Sequence, residues 1–445
     1  MPTFALISLG CPKNLVDSEC MGAALCHDGF RMVSEPIGAD LVVVNTCGFI
    51  ADAREESYAV IAEMAELRRR GDTRGLIVAG CLAEREREEL LGRFPAVDRV
   101  VGVFARGEIA NAASQVLDGQ PGPRMVLQPP LNCMADEAER LRLTPHHVAY
   151  LKIAEGCNRL CSFCTIPSIR GPFVSKPLDA AVREAEQLAA DGARELVLIA
   201  QDTSSYGLDF AGRPQLAELL ARLDRVEPLR WIRLMYLYPA HVTDALIRAV
   251  NTCKKVIPYL DLPLQHISDP ILRGMRRQVS RAETERLLGW LRGEIDGLVL
   301  RTTFIVGFPG ETEQHFNELL DFVGRQQFER LGVFAYRNEP GTPAANLEDQ
   351  VPEEEKRLRQ QRLMARQQDI AFAWGDRQVG RTLDVLIDRG IPGEKYAFVG
   401  RTTADAPEVD GVVYVTGKGL KPGRIAPCEI VARKGYDLIA AYDPT

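Results

Sequence analysis

Between His147 and Tyr336 one pattern repeats six times: a short apolar run, then a longer polar or amphipathic stretch. The apolar runs cover 148–154, 195–200, 231–237, 259–264, 299–306 and 331–336, with helical patterns between them at 178–190, 216–223 and 313–323. Strands that alternate with helices pair in parallel, because each crossover returns the chain to the same end of the sheet. Six such units predict an incomplete form of the eight-unit (β/α) barrel. Functional groups in that fold gather at the C-terminal ends of the strands. A barrel left open also suits a large or macromolecular substrate.

The flanking segments read differently. Three apolar runs at 3–9, 41–46 and 75–80 are short and aliphatic, as buried strands are. Tyr58, Ile61, Met64 and Leu67 recur at helical spacing between the second and third, and a further helix is expected over 84–91. This is a second parallel α/β unit. The stretch 117–144 carries Pro and Gly clusters and reads as a linker. After a charged helix at 353–373, five β-rich runs separated by Gly and Pro predict a small antiparallel barrel. The expected fold class is α/β. Its parts are an N-terminal domain (1–118), a linker (119–142), a partial (β/α)6 TIM-like barrel (143–375) and a C-terminal β-barrel (376–445).

Charge and cysteine content narrow the chemistry. A formal net charge of -7 over 445 residues gives no broad basic footprint, so binding mainly through phosphates is not expected. The N-terminus, MPTFALISLGCPKN, reads as a first strand rather than an export signal, and no apolar run is long enough to span a bilayer. A cytoplasmic protein with no membrane contact is expected. Eleven cysteines, an odd number, are in that setting more often metal ligands or buried thiols than disulfides.

Two constellations stand out among them. Cys157, Cys161 and Cys164 stand in CxxxCxxC spacing directly after the first barrel strand, so one short loop converges three thiolates. Structural zinc takes four ligands, and no fourth Cys or His follows nearby. A four-iron cluster on three thiolates keeps one iron open. Radical chemistry with S-adenosylmethionine needs that vacancy, because the cofactor must coordinate the reducing cluster. Cys11, Cys47 and Cys81 each close one N-terminal strand, in Leu9-Gly10-Cys11, Asn45-Thr46-Cys47 and Ala79-Gly80-Cys81. Parallel strands bring all three to one sheet edge, where open α/β sheets bind ligands. A second three-cysteine cluster site is expected there. Cys20, Cys26, Cys133, Cys253 and Cys428 share no spacing and are read as ordinary thiols.

Weaker signals lie at other strand ends. Phe163, inside the cysteine loop, either packs beside a cofactor or belongs to the core. Gln201 and Asp202, with Gln265 and His266, end other barrel strands and are candidates for polar contacts to cofactor or substrate, Gln201 and Gln265 to S-adenosylmethionine, with simple loop capping as the alternative for all four. As an acid or base, His266 receives no role. No catalytic side chain is expected beyond the cluster ligands.

The string YLKIAEGCNRLCSFCTIPSIRG on the first strand of a six-unit barrel resembles the radical S-adenosylmethionine superfamily, and the methylthiotransferases in particular. The segment VGFPGE resembles one near the adenosine part of the cofactor, and the C-terminal module is similar to a TRAM domain. The resemblance covers essentially the whole chain. It implies two 4Fe-4S clusters: a radical one on Cys157, Cys161 and Cys164, and an auxiliary one on Cys11, Cys47 and Cys81. In that family the auxiliary cluster carries the sulfur delivered to substrate, while the radical cluster cleaves S-adenosylmethionine to the species that abstracts the substrate hydrogen.

Two branches of the family differ in substrate. SLGCPKNLVDSE, NTCGFIADAREES and LIAQDTSSYG resemble the branch that modifies an aspartate β-carbon of small-subunit ribosomal protein twelve. The branch acting on a transfer-RNA adenosine typically has Gln-Met-Asn where this chain has Pro12, Lys13 and Asn14. From Gln378 onward nine Lys or Arg balance nine Asp or Glu, which does not favour an RNA grip. Asp405, Glu408 and Asp410 offer a local acidic stretch for a basic protein, or else a solvated loop. The resemblance further implies an electron donor such as flavodoxin or ferredoxin, a substrate met free or in the ribosomal subunit, and a monomeric enzyme. A two-cluster electron carrier and a zinc-dependent RNA-binding protein are the competing readings from other classes.

Overall fold

The computed structural model describes residues 1–134, 137 and 139–443. Its first sheet holds six parallel strands: β1 (Thr3–Ser8), β2 (Arg31–Met32), β3 (Leu41–Thr46), β4 (Gly75–Gly80), β5 (Arg99–Val101) and β6 (Met125–Val126). They lie in the order β2-β1-β3-β4-β5-β6. The two central strands, LVVVNT and GLIVAG, are buried at every position, as strands covered on both faces must be. Val42, Val44, Leu76 and Val78 pack on one face with Ile61 and Met64 from helix Ala51–Arg70. Leu41, Val43, Ile77 and Ala79 pack on the other, against Met21 and Leu25 from helix Pro12–His27 and Ile109 from helix Ile109–Leu117. The helix expected over 84–91 is two short ones, Cys81–Glu86 and Glu88–Arg93, broken at Arg87 with φ 51. The stretch 119–142 adds β6 to this sheet, paired with β5.

The second sheet runs β14-β13-β12-β11-β10-β7, all parallel. Its strands are β7 (Val148–Lys152), β10 (Glu195–Ile199), β11 (Trp231–Leu234), β12 (Val256–Asp261), β13 (Val299–Val306) and β14 (Arg330–Ala335). A two-stranded ribbon of β8 (Ala154–Glu155) and β9 (Val174–Ser175) frames the cysteine loop. Alternation decides which residues face the helices. Ala149, Leu151, Leu196 and Leu198 join the outer core with Leu188, Leu219 and Leu220, whereas Val148, Tyr150, Val197 and Ile199 line the inner face.

Charged residues at inward positions of the same strands make a polar ladder. Lys152, Glu195, Arg233 and Asp261 are fully buried, and Arg301 is partly buried. The neighbouring domains complete it. Helix Pro12–His27 contributes Val16 to the inner face of the barrel. From the opposite end, Ala404 and Ala406 of the C-terminal module enter the same cluster.

That module is a closed five-stranded barrel in the order β15-β16-β17-β19-β18. The strands are β15 (Thr382–Gly390), β16 (Ala397–Arg401), β17 (Val413–Thr416), β18 (Ile425–Lys434) and β19 (Asp437–Ala441). Four pairings are antiparallel and β17–β19 is parallel. A closed ring with an odd number of strands cannot alternate direction all the way round. The acidic stretch does not offer a docking surface. Asp405 is buried against Arg330, and Asp410 accepts from Tyr259 Oη (2.6 Å) and lies 3.6 Å from Arg301, so only Glu408 remains exposed. Among the described residues no helix is long and apolar enough to cross a membrane.

Candidate active site between two cysteine trios

Level strand ends set up the first trio. Ser8 lies opposite Asn45, and Asn45 opposite Ala79, so the residues that follow leave the sheet at one edge. β1 and β3 flank the point where strand order reverses, the usual ligand crevice of such sheets. The approach is close enough to require glycine at two places. At Gly10 (φ +90) a Cβ would stand 2.8 Å from Cys47 Cβ, and at Gly80 (φ +94) it would stand 2.2 Å from Asn45 Oδ1. Asn14 ties the loops together by donating from Nδ2 to the carbonyl of Leu9 (2.6 Å) and more weakly to those of Asn45 and Thr46 (3.4 and 3.3 Å). Lys13 lays its ammonium 3.4 Å over the Tyr236 ring of the barrel, so the Pro12-Lys13-Asn14 segment is part of the domain junction.

The second trio lies in the loop between β8 and helix Ile166–Arg170. Backbone N–H groups of Arg159 and Ile166 donate to the sulfurs of Cys157 (3.3 Å) and Cys164 (3.5 Å), and Arg277 Nη1 lies 3.7 Å from Cys161 Sγ. Ser162 anchors the loop by donating from Oγ to the Gly274 carbonyl (2.7 Å). Thr165 Oγ1 donates to the carbonyl of Phe49, two residues past Cys47, so the two cysteine loops touch.

Burial pushes the thiols of Cys81 and Cys164 up to about 12 and that of Cys157 up to about 11, and it raises Cys47 as well. Burial also opposes the Cys11 thiolate, but Lys13, Arg170 and nearby backbone N–H groups outweigh it and lower that group. Binding a metal group through these thiols would therefore release protons from most of them. Among the described residues no three His, Cys, Asp or Glu side chains close around a single metal ion. An iron–sulfur cube takes each thiolate on a different iron, so its ligand sulfurs stand farther apart than those around one zinc. Three soft donors per trio, each loop supplied with N–H groups or cations, fit such a group.

A cavity of about 350 Å³ opens between the loop that follows Cys47 and the barrel, and none of the six cysteines lines it. Phe49 and Ile50 from the Cys47 loop form one wall. Phe163, Gln265, Thr303, Ile305 and Tyr336 from the C-terminal ends of the barrel form the other. Phe163 belongs to this wall and also packs with Phe308 and Tyr336. Gln265 adopts φ 72, and its buried Oε1 has no partner, as a group awaiting a ligand would. Gln201 does not line the cavity. Its Nε2 donates to Glu155 Oε1 (3.0 Å), and its Oε1 is likewise buried and unpartnered. Asp202 does cap its loop, accepting from the hydroxyls of Ser204 and Ser205 (both 2.6 Å) and from Arg159 (3.0 Å). In VGFPGE, Glu311 accepts from the Gly307 N–H (2.8 Å) and from Arg359 (2.9 Å). His266 accepts from the Ser268 N–H and stands 3.5 Å from Glu311.

Beyond the cysteines a buried ionic network joins the first domain to the barrel. Among the described residues Asp17, Glu19, Glu137, Glu155 and Glu184 interlace with Arg106, Arg140, Lys152, Arg170 and Lys176. Each needs partners of opposite sign, since an unpaired charge there costs several kcal/mol. At the cavity rim the buried Glu339 accepts from the Ala51 N–H (2.6 Å) and from Arg54 and Arg85 (3.0 Å for the latter), joining the domains a second time. The sequence signal for Lys152, a charge at an inward position of an otherwise apolar strand, was legible; its partners were not.

Residues 3–102 match the uncharacterized protein family UPF0004, residues 151–323 the radical SAM superfamily and residues 379–442 the TRAM domain. Among solved structures, the chain resembles the radical S-adenosylmethionine methyltransferase TsrM of Kitasatospora setae with tryptophan substrate and a SAM analogue bound. The TM-score is 0.59 at 16% identity, covering 92% of this chain and 80% of that one. The cobalamin-dependent S-adenosylmethionine radical enzyme OxsB gives 0.52 at 10% identity, covering 82% and 56%. Both likenesses concern the fold. Curated relatives are nearer. The ribosomal protein uS12 methylthiotransferase RimO of Anaeromyxobacter sp. (strain K) is 46% identical over 98% of this chain and 93% of its own length. Its counterpart in Desulforamulus reducens is 42% identical over 99% of both. With such identity across all three domains, the chain belongs to the RimO family of ribosomal protein uS12 methylthiotransferases.

Proposed function

We propose that this protein adds a methylthio group to the β-carbon of an aspartate in ribosomal protein uS12, with Cys157, Cys161 and Cys164 holding one 4Fe-4S cluster and Cys11, Cys47 and Cys81 holding another. The observation that carries the reading is the shared cavity: the loop after Cys47 and the loop containing Phe163 both line one chamber. When bound, the first cluster would cleave one S-adenosylmethionine to supply the hydrogen-abstracting species, and the second would carry the sulfur, its methyl group coming from another S-adenosylmethionine.

The chain's own residues do the rest. The CxxxCxxC trio presents three thiolates and leaves the fourth coordination corner to the cofactor. Gln265 offers an unpartnered carbonyl oxygen to a polar group of S-adenosylmethionine, and Gln201 offers another nearer to Glu155. Phe163, Phe49 and Ile50 give the chamber apolar walls, which keep water from a reactive centre. The hydrogen bond between Thr165 and Phe49 and the clamp on Glu339 hold the two loops against each other, so the residues beside each trio keep a fixed relation.

The relatives' name directs the substrate reading to uS12, whether free or in the small subunit, in the cytoplasm where ribosomes work. An electron donor of the flavodoxin or ferredoxin kind and a monomeric enzyme complete the proposal. Anaerobically reconstituted protein should be incubated with S-adenosylmethionine, reductant, uS12 and transfer RNA together, and both products weighed by mass spectrometry. The expected result is one methylthio group in place of one hydrogen on the uS12 aspartate. Product on transfer RNA with unmodified uS12 would overturn it.

A further inference from the structure

The helix Ile166–Arg170 touches both cysteine trios. At its start the Ile166 N–H points at Cys164 Sγ, and at its end Arg170 sets Nε and Nη2 each 3.3 Å from Cys81 Sγ. Arg170 is 1% exposed. Its other contacts are Nη1 to Glu155 Oε1 (2.9 Å) and Nη2 to Asp17 Oδ2 (2.9 Å) and Asn14 Oδ1 (3.3 Å). The barrel trio is treated differently. Its sulfurs meet backbone N–H groups at 3.3 and 3.5 Å, and its nearest side-chain cation, Arg277, stays at 3.7 Å.

A hydrogen bond to a ligand sulfur draws negative charge off the thiolate, and a buried cation favours the more negative, reduced cluster. Both raise a reduction potential, and hydrogen bonding to sulfur is among the main means by which a protein sets it. The low dielectric of the junction keeps the effect strong, while Asp17 and Glu155 offset part of it by competing for the same guanidinium.

We propose that Arg170 is a positioning residue that raises the reduction potential of the cluster on Cys11, Cys47 and Cys81. This rests on the two-cluster reading above.

The test isolates one cluster. In full-length protein carrying C157A, C161A and C164A together, only the N-terminal cluster is loaded, and its midpoint potential is followed by electron paramagnetic resonance. R170Q should shift the midpoint to more negative values and R170K by less, since lysine keeps the charge but loses the paired donors. D17N should shift it the other way, because Nη2 loses its carboxylate competitor. A midpoint unmoved by both R170Q and D17N in fully loaded protein overturns the proposal. Should R170Q fail to hold iron, an unmoved or more negative D17N midpoint overturns it alone. A parent with no iron and sulfide at all instead defeats the two-cluster reading, and this inference with it.

Discussion

At the scale of single residues, the first trio depends on positions where a side chain would intrude. Gly80 combines a left-handed φ of +94 with a Cβ position 2.2 Å from Asn45 Oδ1 and 2.7 Å from the Thr46 carbonyl. Gly71 has a similar φ of +81 but open space around it. The pair separates conformational strain from collision. G71A should cost about 1–2 kcal/mol, the ordinary penalty for a non-glycine residue there. G80A should cost clearly more and, on the proposed two-cluster reading, should also lower the iron that the protein retains after reconstitution. Urea unfolding midpoints and iron content, measured on both variants, check this. Equal losses would mean that the close packing at Gly80 is easily relieved.

Elements join the three domains as much as they build them. The segment 402–410, a surface loop by composition, instead enters the barrel from the strand N-terminal end, with Ala404 and Ala406 in the inner cluster. Its charges are matched from above: Arg330 to Asp405, Tyr259 and Arg301 to Asp410. Burial raises the Asp410 carboxyl despite Arg330, Arg301 and the Tyr259 hydroxyl, so its ionised form depends on those partners. Tyr259→Phe removes one of them without changing shape. The loss should be about 1–3 kcal/mol, the cost of leaving a buried acceptor short of a donor. Chemical denaturation would show a value near zero if the carboxyl simply protonates instead.

Over the whole molecule, the interfaces are ionic, and that makes their stability depend on pH. Glu195 accepts from Arg233 Nε (2.7 Å) and Arg401 Nη1 (2.6 Å), and Asp388 accepts from Arg401 Nε (2.8 Å) with His147 3.0 Å away. Burial opposes both carboxylates, yet Arg401 with Arg233, and His147 with Arg401, hold them below their usual values. A carboxylate depressed in the folded state adds stability that is whole above its unfolded value, about 4, and fades as pH falls through the folded one. The junction between the two barrels should therefore loosen in acid below about pH 4. Glu195→Gln should flatten that acid limb while lowering stability at neutral pH. Thermal unfolding of both proteins from pH 3 to 7 tests it; parallel pH profiles would assign the acid sensitivity elsewhere.

Much of this protein was decided locally. The run of β and α units follows from periodicity, and helices 178–190 and 216–223 fall where their apolar spacing puts them, because amphipathic faces need only a sheet to cover them. CxxxCxxC spacing names one trio without help, since a single loop brings it together. Strand-end placement names the other, since parallel pairing levels the ends. Only the tertiary structure decided how the cysteine loops meet: Phe49 and Phe163 on one cavity, Thr165 on the Phe49 carbonyl and Arg170 on Cys81 join residues dozens to over a hundred positions apart. It also decided that Asp405 and Asp410 go inward, because their partners Arg330, Tyr259 and Arg301 come from another domain. Period and spacing are short-range properties that a sequence states outright. The pairing of buried charges belongs to the packed interface, where desolvation makes each ion need a specific neighbour.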